Sequence, residues 1–163
     1  MDCWYKDRFM MKRIVILLAA ALALLCSCEK PDTVIDDQSP EYSGNMTVIY
    51  EGESFEQKDV KVIVGFNEDR TMVDIKLCKV KFVPAMPVRI DVTIMEVPVT
   101  EAEEGVWEFY GDGITPWAMG GPYDGYRADE FKGRITSETL DFTLGFYNTK
   151  KKVNYPTTYS GRL

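Results

Sequence analysis

The sequence predicts an all-β fold of about eight strands, a meander sandwich or barrel, and three observations lead there. Apolar residues alternate with polar ones through most of the chain after Tyr42, polar or glycine- and proline-rich turns punctuate that alternation, and no stretch carries a convincing helical repeat. Strands patterned this way bury one face each, and a meander of them forms a sandwich or closes into a barrel.

In chain order, Met46, Val48 and Tyr50 alternate with Thr47, Ile49 and Glu51 in a first strand. Val60, Val62, Val64 and Phe66 alternate with Lys61, Ile63 and Gly65 in a second. Asn67 to Arg70 forms a polar turn, after which Met72 to Leu77 and Lys79 to Phe82 continue the pattern as the return arm of a hairpin. Pro84 and Pro87 interrupt the ladder, because proline offers no amide hydrogen. Val88, Ile90, Val92 and Ile94 then give the cleanest alternation in the chain.

Thr100 to Gly105 reads as an acidic loop and Val106 to Tyr110 as a short strand. Gly111 to Tyr126 holds five glycines, two prolines and large aromatics, and is expected to be irregular. Strands resume over Tyr126 to Thr136 and through Leu140, Phe142, Leu144 and Phe146, followed by a basic turn from Asn148 to Lys152 and a last strand from Val153 to Leu163. Tyr42-Ser43-Gly44 in the first strand and Tyr159-Ser160-Gly161 in the last would suit pairing that closes the sheet and removes its edges.

The amino-terminal stretch carries a different signal. Lys12 and Arg13 precede twelve apolar residues, Ile14 to Leu25, and Leu25-Cys26-Ser27-Cys28 ends the run with small residues before a cysteine. At about 1.5 Å per residue this run falls short of a hydrocarbon core about 30 Å thick, so it reads as a cleaved leader. Its end resembles the lipobox of bacterial lipoproteins, which implies acylation of Cys28 and a signal peptide over residues 1–27, with Met10 or Met11 as alternative starts; the polar, proline-broken stretch that follows reads as a flexible tether over 28–41, and the change to period two at Tyr42 opens a barrel domain over 42–163.

Cutting before Cys28 leaves 136 residues, enough for one domain with a real core. Those residues hold 15 bases against 24 acids, a net charge of −9, which argues against nucleic acid and against a polybasic dock on anionic lipid. Cys78 is then the one cysteine of the domain and reads as core or near-core filler. The chain has no histidine, which excludes the usual Ser-His-Asp and Cys-His nucleophiles, imidazole zinc sites and histidine-ligated haem. No enzyme activity, metal or cofactor is expected.

The strings Tyr42 to Val48, Lys81-Phe82-Val83-Pro84-Ala85-Met86-Pro87-Val88-Arg89-Ile90-Asp91-Val92, Gly133-Arg134-Ile135-Thr136 and Tyr159-Ser160-Gly161 resemble the calycin-like lipoproteins of Bacteroidetes. That resemblance implies a single antiparallel up-and-down β-barrel of about eight strands, calycin- or lipocalin-like, hung from the outer membrane by lipid. It departs from lipocalins proper in lacking Gly-x-Trp near the first strand, so no lipocalin ligand is implied.

The candidate ligand-binding residues are Trp107, Phe109, Tyr110, Trp117, Tyr123 and Tyr126, because aromatic rims with scattered glycines can build a barrel mouth for a small apolar molecule or a short glycan. The alternative is that these rings are core and plug. Glu101, Glu103, Glu104, Glu108, Asp112 and Asp124 could supply a carboxylate pair, which glycoside hydrolysis needs at roughly 5 to 9.5 Å, or oxygen ligands for calcium, but a solvated acidic loop is the simpler reading. Gly111-Asp112-Gly113 and Gly120-Gly121 fit no phosphate loop. Three readings result, in order: a non-enzymatic envelope barrel binding a ligand at its aromatic end, a filled barrel that acts as a structural or protein-interaction module, and a carboxylate hydrolase.

Overall fold

In the computed structural model, residues 32–163 are described; the leader and Cys28 lie outside them. The ten strands are β1 (Glu41–Tyr50), β2 (Glu53–Phe66), β3 (Met72–Val80), β4 (Ile90–Glu103), β5 (Val106–Gly111), β6 (Trp117–Ala118), β7 (Gly121–Pro122), β8 (Tyr126–Ile135), β9 (Thr139–Asn148) and β10 (Val153–Arg162). Eight of them form a closed antiparallel barrel in the order β1-β2-β3-β4-β5-β8-β9-β10, and β10 returns to β1. The predicted fold class is therefore the observed one.

Closure uses the matched tripeptides. In the β1–β10 register Gly44 lies opposite Gly161 and Met46 opposite Tyr159. A β-carbon on Gly44 would run into the Ser160 carbonyl, and one on Gly161 into the Tyr159 ring, so the first glycine lets the two backbones close and the second leaves room for that ring. The buried Tyr159 hydroxyl lies 3.0 Å from the Tyr42 carbonyl oxygen and 3.2 Å from that of Val60, while the Tyr42 hydroxyl donates to the Thr136 carbonyl at 2.7 Å.

The interior is filled. Alternate residues point inward as the period of two requires: Met46 and Val48, Val60, Val62 and Val64, Val73, Ile75 and Leu77, Val92 and Ile94, Phe131, Leu140, Phe142, Leu144 and Phe146 are all buried. The outer wall carries Lys58, Lys61, Asp91, Glu108, Lys132, Arg134 and Asp141. This polarity is the inverse of a membrane-spanning barrel, whose outer band is apolar.

Three local expectations are corrected and one is refined. The acidic loop expected from Thr100 is mostly strand, because β4 runs on to Glu103 and turns only at Glu104 and Gly105. The stretch from Gly111 is largely irregular, as expected, but it supplies short pieces of wall. β5 has six residues against fourteen in β4, which would leave unpaired backbone on β4 and β8 below it; Ile114 exchanges hydrogen bonds with Ala128 (3.1 and 2.7 Å), and β6 pairs with Val92 and Thr93. Cys78 stands on the outer face of β3 opposite Lys61, half-covered, and burial holds its thiol above the usual range. Finally, β1 begins at Glu41, and residues expected to belong to the tether lie on the barrel. The Asp74 carboxylate, 4% exposed, accepts hydrogen bonds from the Thr33 hydroxyl (2.8 Å), the Val34 amide (3.0 Å) and the Glu96 amide (2.8 Å), because an unpaired carboxylate at that depth would be costly. Gly65 makes room for this segment: a β-carbon there would meet the backbone of Val34.

Candidate functional site

Up-and-down connectivity sorts the turns to two ends. One end carries residues 67–71, 104–105 and 136–138 with the start of β1 and the end of β10; the other carries 51–52, 81–89, 112–125 and 149–152.

The six candidate aromatics do not converge. Trp107 caps the first end, where it meets Phe66 edge-on at 5.4 Å and the Arg70 guanidinium lies 5.5 Å from its ring centroid. Phe109 is interior, packed on Phe131 at 4.9 Å. Tyr110, the next residue along a strand, therefore points out and is 54% exposed. Trp117 sits half-buried in the wall, its indole nitrogen buried without a hydrogen-bond partner. Only Tyr123 and Tyr126 reach the second end together.

There they join a stack that the sequence reading missed. Phe82 lies parallel to Phe146, with centroids 3.6 Å apart and planes 11° off; Tyr126 stacks on Phe146 at 4.9 Å, and Tyr123 on Tyr126 at 4.5 Å. Phe82 belongs to no strand and is 2% exposed, so the loop after β3 plugs the barrel. Beside its ring a cavity of about 40 Å³, the space of a water or two, is lined by Val83, Met86, Ile90, Tyr155 and Lys151 among others. Burial raises the Tyr123 and Tyr155 hydroxyls above their ordinary range, so both stay neutral donors at this mouth. A signal for Phe82 existed in the sequence: a large ring directly before a two-proline loop cannot continue the ladder and must be placed some other way.

The larger concavity is on the outer wall. An open groove of about 840 Å³ crosses β4, β5, β8 and β9. Its floor is the backbone row Phe109, Gly133, Phe142, where Gly133 presents no side chain. One rim is the register row Thr100, Glu108, Arg134, Asp141; the other is Pro98, Tyr110, Lys132, Thr143. Two acids and two bases alternate around it, so the groove carries no net charge.

Two of the other candidate acids serve the backbone and a third faces a guanidinium. Glu101 accepts from the Gly105 amide at 3.0 Å in its own turn, Asp112 from the Glu130 amide at 2.9 Å, and Glu103 lies 3.8 Å from Arg134. Among the described residues no three Asp, Glu or Cys side chains gather as a metal cluster.

No protein-family model matches this chain, nor does any curated protein. Among solved structures the chain is similar to the crystal structure of a putative outer membrane protein from Bacteroides fragilis, with a TM-score of 0.57 and 16% identity over 77% of this chain and 51% of that one. This chain thus spans about half that protein's length. At such identity the likeness concerns the barrel fold alone.

Proposed function

We propose that the protein is a non-enzymatic barrel of the bacterial cell envelope, held to the outer membrane by lipid on Cys28, that works through its outer surface as an interaction module. The observation that carries this reading is the filled interior: large side chains occupy the space where a hollow barrel would hold a ligand, and the remaining void at the mouth is about 40 Å³. The polar outer wall supports anchoring by lipid rather than by the strands themselves. The barrel fold shared with an outer membrane protein and the lipobox resemblance support the same location.

The groove is the surface best suited to a partner. Its exposed Tyr110 supplies a rigid aromatic contact, and its balanced charges suit a protein segment without strong net charge. A photo-crosslinking residue placed at Tyr110 in cells is expected to give a discrete adduct, while the same residue at Lys58, on the opposite wall, gives none. Equal labelling at both places, or at neither, sinks the reading.

A further inference from the structure

We infer that the slot filled by the Phe82 ring is a closed binding site for a planar aromatic anion, opened when the loop at residues 82–88 lifts. This goes beyond the surface reading above, and either can fail without the other.

Three observations converge on the slot. First, the ring that fills it comes from a loop, not from the wall: the eight strands close without Phe82, whose ring lies face to face with Phe146 at 3.6 Å and 11°. Phe146, Tyr126 and Tyr123 form the rest of the stack, so the slot is shaped for one flat ring and is occupied by a removable one. The adjoining void of about 40 Å³ would add to the volume the ring vacates.

Second, the loop is pinned at its two stems and free between them. The Gln57 side chain, 3% exposed, donates to the Lys81 carbonyl (2.8 Å) and accepts from the Lys81 amide (2.9 Å) and from Arg89 Nη1 (3.0 Å); Arg89 also reaches the Lys79 carbonyl at 3.2 Å. Between these stems Pro84, Ala85, Pro87 and Val88 are exposed, and the hydrogen bonds on hand are Met86 N to the Val83 carbonyl (3.1 Å) and Phe82 N to Met86 Sδ (3.2 Å). Such a segment can swing without breaking the barrel ladder.

Third, among the described residues lining the cavity the charged one is Lys151, from a turn that also holds Lys150 and Lys152. In a chain with net charge −7 this concentrates positive charge where a ligand's anionic group would emerge from the slot.

The test uses 2-naphthoate as probe and the neutral 2-naphthalenemethanol as comparator, titrated into the full-length chain by calorimetry, with circular dichroism checking the fold of each variant. Naphthoate should bind the native chain, and Phe82→Ala should bind it about tenfold more tightly or better, since removing an internal competitor raises the competent population. Lys151→Gln should weaken naphthoate severalfold and leave the alcohol unchanged. A folded Phe82→Ala that binds no more tightly than the native chain overturns the inference. So does a native chain that binds no naphthoate. Independently of any variant, saturation with naphthoate should remove the nuclear Overhauser contacts between the Phe82 and Phe146 rings; contacts that persist while the probe is bound place it elsewhere and overturn the inference.

Discussion

Among single residues, Tyr159 carries the most consequence, since its ring lies over Gly161 at the seam and its hydroxyl reaches backbone on β1 and β2. Burial holds the Tyr159 and Tyr42 hydroxyls above their ordinary value near 10. The folded barrel thus favours the neutral phenols, a preference fully present below pH 10 and lost as pH rises beyond it, because the unfolded chain releases those protons first. Denaturation midpoints measured from pH 8 to 12 should fall above about pH 10, the unfolded value. Tyr159→Phe should cost about 1 kcal/mol at neutral pH for the lost hydrogen bond and flatten that alkaline decline. At this scale the sequence was partly legible: the two Tyr-Ser-Gly strings pointed to the seam, but alternation cannot say that a tyrosine hydroxyl will cross the interior to a third strand.

The strands bend at bulges, and three of the bulges share a construction. Lys79, Glu96 and Glu130 have positive φ within or beside strands at register shifts, at 53°, 54° and 47°, and the amide of each is held by an aspartate: Asp91, Asp74 and Asp112 respectively. Left-handed backbone costs a residue with a β-carbon about 1–2 kcal/mol, and the carboxylate staple offsets part of it. Asp112→Ala is therefore expected to lower stability by about 1 kcal/mol. Glu130→Gly should match the native chain or gain up to about 1 kcal/mol, while Glu130→Val should lose about as much. Urea denaturation of the three variants checks the order; a Val variant as stable as the Gly one would show that the bulge is unstrained. The sequence could not reveal these devices, since a bulged residue looks like a slip in period. The same blindness applies to the short pairings within residues 112–125, because pairing there is set by the shortness of β5, a fact of the neighbouring strand.

For the whole molecule, the all-β barrel was legible because a period of two, repeated through strands joined mostly by short turns, admits few other architectures. Where the aromatics would go was not: on adjacent residues Phe109 turns inward and Tyr110 outward, so closeness in sequence separates them by the thickness of the wall. Whether the interior is hollow depends on summed side-chain volumes and on a plug arriving from a loop, neither of which a pattern encodes. The proposed anchor makes its own prediction. Cys28→Ser should move the protein from the membrane fraction to the soluble fraction after cell lysis, with its fold intact; retention in the membrane would show that something other than lipid holds it. If the chain hangs from that residue, the Asp74 clamp acquires a mechanical meaning. A pull along the tether reaches Thr33 and Val34 before it reaches β1, so tension is first borne by hydrogen bonds to a carboxylate on β3, and the seam between β1 and β10 is shielded until that clasp has given way.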